Sequence, residues 1–203
     1  MRYCANGYLV TEGPTTISGI NYCGVDSNAW PIGLTPLEKW VPIICEEALN
    51  DLSFPLLLDL GDALRYYAIC KNVGKTPHLL YCEVLGDYSE GTIGENRNSP
   101  PYVFLGFDYA YPSGDYYSAV ANDIIYHKGY FMTKWRHKLN QYGLFSRADQ
   151  IQAFVKDRKN WLNRSVHNHE VELGNFVVFR IFEVDYREAM FYVSNNIRNC
   201  DHD

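Results

Sequence analysis

The stretch that constrains this chain most runs from Tyr102 to Tyr126. Its first six residues, YVFLGF, form an apolar run of strand length. Asp108 and a Pro112-Ser113-Gly114 corner follow. Tyr117, Val120, Ala121, Ile124 and Ile125 then recur at the spacing of one helical face. The segment predicts a strand, a tight turn and a helix that packs back onto the strand. Asp108 and Asp115, seven residues apart, flank the turn together with Tyr109, Tyr111, Tyr116 and Tyr117.

Around this unit the periodicity alternates between helical and extended. Thr35-Pro36-Leu37-Glu38 is a helix start with a capping box, and Leu37, Trp40, Val41, Ile44 and Ala48 fall on one face despite Pro42. Residues 59–72 predict a second helix stopped by Gly74. Residues 78–85 predict a strand, followed by a long polar connection from Gly86 to Pro101. A basic helix is predicted over 131–141 and ends at Gly143. Another runs from the Ser146 cap to about Asn163, with Ile151, Phe154, Val155 and Leu162 inward.

Residues 175–185 alternate, placing Phe176, Val178, Arg180, Phe182 and Val184 on one face and Val177, Phe179 and Ile181 on the other. Tyr186-Arg187-Glu188 predicts a turn into a second strand over 189–193, giving a C-terminal β-hairpin. The clustering of helices implies one α+β domain over 1–203, with a mixed or mainly antiparallel sheet and helices packed on it. Residues 1–34 predict an irregular, β-rich start and 194–203 a polar tail.

With 47% hydrophobic residues in 203, the chain can bury a real core, and its composition argues against disorder. Its net charge of −6 argues against nucleic acid as the main partner. The charge is uneven. Residues 1–125 carry 6 Lys and Arg against 15 Asp and Glu, whereas 126–164 carry 9 against Asp149 and Asp157. No apolar run reaches the ~20 residues of a membrane span, and no signal segment opens the chain. The six cysteines form no C-x-x-C pair, so a cytoplasmic setting with free thiols is expected.

Several arrangements carry possible chemistry. Asp108 and Asp115, with His127, have the residue types of a hydrolase acid pair, although Asp115 near a helix start also suits the helix dipole. His167 and His169 share a strand face, but a metal needs further ligands, and a polar loop is the simpler reading. Trp135, Arg136 and His137, with Lys134 and Lys138, resemble a phosphate-binding face, but a solvated helix face is the simpler reading. This leaves a third class, a small-molecule or nucleotide-binding accessory protein using the basic helices. No phosphate-cradling, dinucleotide or nucleophile-elbow motif is present. No cofactor, metal or catalytic residue is therefore assigned.

The run FLGFDYAYPSGDYYSAVANDI, from Phe104 to Ile124, resembles small bacterial immunity proteins, the inhibitors of polymorphic and contact-dependent toxins. The resemblance covers about twenty residues and implies a non-catalytic protein that binds one toxin domain and occludes its active site. A nuclease toxin has a basic cleft, which an acidic, tyrosine-rich inhibitor complements. On that reading Asp108, Tyr109, Tyr111, Asp115 and Tyr116 form the partner-binding patch, with Tyr117 turned inward and the Gly86 to Pro101 connection as a second contact. The plain alternative is that the tyrosines pack and the aspartates cap.

Overall fold

The computed structural model describes residues 6–11, 15–17, 19–24, 49–51, 54–57, 59–72, 74–86, 101–111, 117–164 and 176–200. The predicted helix that begins at Thr35, most of the Gly86 to Pro101 connection, His167, His169, Asp115 and Tyr116 lie outside the described residues.

The described residues form nine strands, the first five preceding the first described helix. They are β1 (Gly7–Thr11), β2 (Thr15–Ile17), β3 (Ile20–Tyr22), β4 (Leu49–Asp51), β5 (Phe54–Leu57), β6 (His78–Gly86), β7 (Tyr102–Tyr111), β8 (Tyr117–Ser118) and β9 (Val177–Val184). Seven of them form one sheet in the order β4-β5-β1-β6-β9-β7-β8. Every pairing within it is antiparallel. β2 and β3 make a separate hairpin whose turn carries Gly19 at φ 79°. The architecture is α+β.

The helices are α1 (Leu60–Asn72), α2 (Tyr130–Trp135), α3 (Ala148–Arg164) and α4 (Tyr186–Cys200), with a π-helical segment at Val120–Tyr126 and a 3-10 turn at Arg136–Lys138. Asp59 caps α1 by accepting the Asp62 N–H at 3.1 Å. Gly74, at φ 83°, closes it, with Lys75 N–H on the Cys70 carbonyl and Gly74 N–H on that of Lys71. That bonding is a Schellman stop, which a residue with a Cβ would strain.

The alternation of β9 decides how the core is layered. Ile181 and Phe179 join Leu9, Leu80, Cys82, Leu105 and Ala110 on one sheet face, where Tyr22, Ala121, Ile125 and Leu144 cover them. On the other face Val184 packs with Tyr8, Val10, Leu79 and residues of α1 and α4. Val178 packs there with Phe107, Tyr109 and residues of α2 and α3. Burying apolar side chains at about 25 cal/mol per Å² makes these faces the main source of stability.

Gly106 sits where the β7–β9 register shifts, at φ 153°. A Cβ there would lie 2.6 Å from Leu144 Cβ and 2.9 Å from the Phe145 carbonyl oxygen. Glycine thus lets the 139–145 turn approach closely enough for Phe107 and Phe145 to exchange backbone hydrogen bonds of 2.8 and 3.1 Å.

Three expectations are corrected. Residues 186–200 are α-helical, so β9 has no hairpin partner after it and the polar tail from 194 continues the helix to Cys200. Asp185 Oδ1 accepts the N–H groups of Arg187 and Glu188 at 2.8 and 2.9 Å, a helix N-cap. Tyr186, Ala189 and Val193 then face α1 and the sheet at helical spacing. The basic helix is also shorter than predicted, giving way to the 3-10 turn after Trp135. Finally, β7 continues through Asp108 to Tyr111, and the apolar residues after Ser118 lie on a π-helical rather than an α-helical turn.

Candidate functional site

Asp108 lies within β7, opposite Phe179 of β9, and is fully buried. Its Oδ1 accepts the Tyr109 N–H at 2.8 Å and the Ser118 hydroxyl at 2.7 Å. Its Oδ2 accepts the Tyr22 hydroxyl at 2.5 Å. Ser118 Oγ in turn accepts the Ala121 N–H at 3.0 Å, which ties in the π-helical segment. Gly24 abuts this cluster, since a Cβ there would fall 2.3 Å from Tyr22 Oη and 2.4 Å from Asp108 Oδ2. A carboxylate enclosed and held in this way is a structural clamp between β3, β7 and β8.

Two residues of the predicted partner-binding patch, Asp108 and Tyr109, are therefore not exposed, and Asp115 and Tyr116 lie outside the described residues. Asp108 has no solvent-facing surface, and Tyr109 is buried against Phe154 and Phe176 on the opposite sheet face. Neighbouring strand residues point to opposite faces, so Asp108 and Tyr109 were bound to separate. Tyr111 is half-buried with its ring 5.8 Å from that of Phe176. Of the two acids in the hydrolase alternative, Asp108 is enclosed in the same way and Asp115 lies outside the described residues. Enclosed Asp108 shares no water-accessible site with His127, which is exposed at the end of the π-helical segment.

Two further acids are absorbed by the fold. Asp123 meets Arg158 at 2.7 Å, with both side chains at most 3% exposed, and the Arg158 guanidinium lies 4.1 Å over the Phe176 ring. Asp157 accepts Trp135 Nε1–H at 2.8 Å and Lys134 Nζ at 2.9 Å. Burial pushes its carboxyl up, but the hydrogen bonds from Lys134, Trp135 and Tyr130 outweigh that and hold it below the usual range. Lys138 rests over the Trp135 ring at 4.1 Å. Much of the basic charge expected on a phosphate-binding face is thus paired or stacked.

Two other features remain open to a partner. The first is the outer side of α4, where Met190, Phe191 and Tyr192 are 41, 71 and 56% exposed. The inner side is held by Ala189 and by the stacking of Tyr186 on Tyr67 at 4.4 Å. Sequence reasoning missed this surface because Ala189 to Val193 had been assigned to a strand, which would bury every second residue. The capping-box spacing of Asp185 and Glu188 was the available signal.

The second is a cavity of about 220 Å³ between the sheet and the end of β3. Thr11, His78, Leu80 and Glu183 form its floor, and Cys23 and Tyr142 stand over it. The Cys23 N–H bonds the Tyr142 carbonyl at 3.0 Å, which fixes that roof. Burial, with the negative charge of Glu183 adding to it, pushes the Cys23 thiol up to about 11. Among the described residues no helix is long and apolar enough to cross a membrane, and no group of three metal-ligating side chains gathers. No protein-family model, curated protein or solved structure matches this chain.

Proposed function

We propose that this protein acts by binding rather than by catalysis, as an immunity-type inhibitor that docks on a toxin domain and covers its active site. The observation that carries the reading is the outer face of α4, where three consecutive large apolar side chains meet water. Aromatic residues and Met are the types that supply binding energy at protein interfaces, and a helix needs none of them on a purely solvated side. The net charge of −6 favours a basic partner, such as the phosphate-binding cleft of a nuclease. The resemblance of Phe104 to Ile124 to immunity proteins supplies the class. Because Asp108 and Tyr109 are buried, our reading puts the contact on α4 instead.

The test is to clone any toxin domain that a neighbouring gene is found to encode and to follow complex formation by co-purification and titration calorimetry. The expected result is a stable complex that loses roughly thirtyfold in affinity on Phe191→Asp, the size of a ~2 kcal/mol hot spot. Its association rate should fall as salt rises. No complex, or a complex indifferent to both Phe191→Asp and Tyr192→Asp, would reject the reading.

A further inference from the structure

The 220 Å³ cavity over β1, β6 and β9 has a composition that selects a ligand class. Its floor is ordered by strand register. Thr11 lies opposite His78, and Leu80 lies between Leu9 and Glu183. Leu80 and Thr11 are buried, 3% exposed each, so the inner end is enclosed. The Glu183 side chain is 46% exposed and stands at the mouth, next to its strand partner Val103 of β7, itself exposed. Leu105, Tyr22 and Tyr142 make the rest of the lining mostly apolar, with Asn21 and Gln141 as further polar groups. Cys23 adds a neutral wall, because its thiol stays protonated at physiological pH.

Charge then narrows the choice. Among the described residues the lining holds one carboxylate, Glu183, with the His78 imidazole beside it, and neither Lys nor Arg. An anion would meet that carboxylate with no Lys or Arg among these residues to offset it. A cation would gain a charge-assisted hydrogen bond at the mouth while its apolar part entered the cavity. His78 Nδ1 approaches Glu183 Oε1 only to 3.7 Å, longer than a hydrogen bond, so the carboxylate keeps acceptor capacity. Size narrows it further. An apolar cavity of about 150 Å³ takes a benzene-sized molecule, so 220 Å³ admits one ring with a short chain.

We propose that this cavity binds a small primary arylalkyl amine, with the ring between Leu80, Leu105 and Tyr142 and the ammonium on the Glu183 carboxylate. The site is independent of the α4 surface, and either assignment can fail alone.

Phenethylamine, 2-phenylethanol and phenylacetate share a shape and differ in charge, so they make the test. Each is titrated into the full chain and followed by calorimetry and by the methyl resonances of Leu80 and Leu105. Phenethylamine should bind saturably and shift those methyls, with the alcohol weaker and the acid weakest. Glu183→Gln should cost the amine about tenfold and leave the alcohol unchanged, as loss of one charge-assisted contact requires. Glu188→Gln removes the same charge from an exposed position on α4 and should leave amine binding intact. Unfolding curves of both variants establish that they fold. Equal binding of all three compounds, equal losses in the two variants, or no shift of the Leu80 and Leu105 methyls would overturn the proposal.

Discussion

The Tyr22 hydroxyl and the Asp108 carboxylate, 86 residues apart in sequence, meet across 2.5 Å in the interior of the protein. Tyr22 belongs to the small β2–β3 hairpin and Asp108 to the main sheet, so this bond seats one on the other. Both residues are fully buried, and water cannot replace either partner. Tyr22→Phe should therefore cost about 2–3 kcal/mol, the usual range when a buried carboxylate loses a donor. Asp108→Ala should cost more, since it also strands the Ser118 hydroxyl and the Tyr109 N–H. Urea unfolding checks both, with the midpoint falling and the slope unchanged. A loss below about 1 kcal/mol for Asp108→Ala would mean that the clamp contributes little.

The Asp123–Arg158 pair makes a second prediction of a different kind. Both charges are out of water, and the guanidinium also covers the Phe176 ring. Removing one member leaves the other buried without its counter-charge, so Arg158→Met or Asp123→Leu alone should cost about 3–5 kcal/mol. Replacing both together removes the stranded charge. The double variant should be clearly more stable than the sum of the single losses implies, and a double-mutant cycle measures that coupling. Additive losses would show that the two side chains act separately.

How much of this was legible beforehand depended on the range of the contact. The two faces of β9 follow from a period of two and appear in the structure on two separate core faces. Ile151, Phe154 and Val155 recur at helical spacing and are all fully buried beneath α3. The Gly74 stop reads directly from its position after an apolar stripe. What failed was either ambiguous or remote. Five residues, AMFYV, are too short to separate strand from helix by period, and the Asp185 cap decided it. Asp108 stood out as unusual, but nothing near it in sequence announces Tyr22 as its partner. An aspartate beside tyrosines reads as a surface patch until the distant donor is known. The exposed aromatics of α4 became visible only once their element was assigned.

Asp157 gives a pH prediction with a definite sign. Its ordinary value is 3.8, and its partners Lys134, Trp135 and Tyr130 hold it lower in the folded protein. A depressed carboxyl contributes stability above its unfolded value and loses it as pH falls through the folded value. Asp157→Asn should thus be less stable than the parent at pH 7, and the gap should close below about pH 4. Unfolding free energies of parent and variant, measured from pH 7 down to the acid transition, give the difference directly. A gap that stays constant across this range would show that Asp157 does not titrate with a shifted value.

Cys23 titrates in the opposite direction. Burial, reinforced by Glu183, raises its thiol from 9.0 to about 11. At pH 8 the folded protein should then hold on the order of a hundredfold less Cys23 thiolate than the unfolded chain. Only the thiolate attacks an alkylating agent, so reaction at Cys23 should slow by about that factor or more. The profile is the stronger check. In the folded protein the rate should keep rising about tenfold per pH unit through pH 9 and level off only near 11, whereas in urea it should level off near 9. Peptide-resolved mass spectrometry after short pulses of iodoacetamide separates Cys23 from the other five cysteines. A folded-state plateau near 9 would mean that the cavity wall is wetter than its packing against Tyr142 and Glu183 implies.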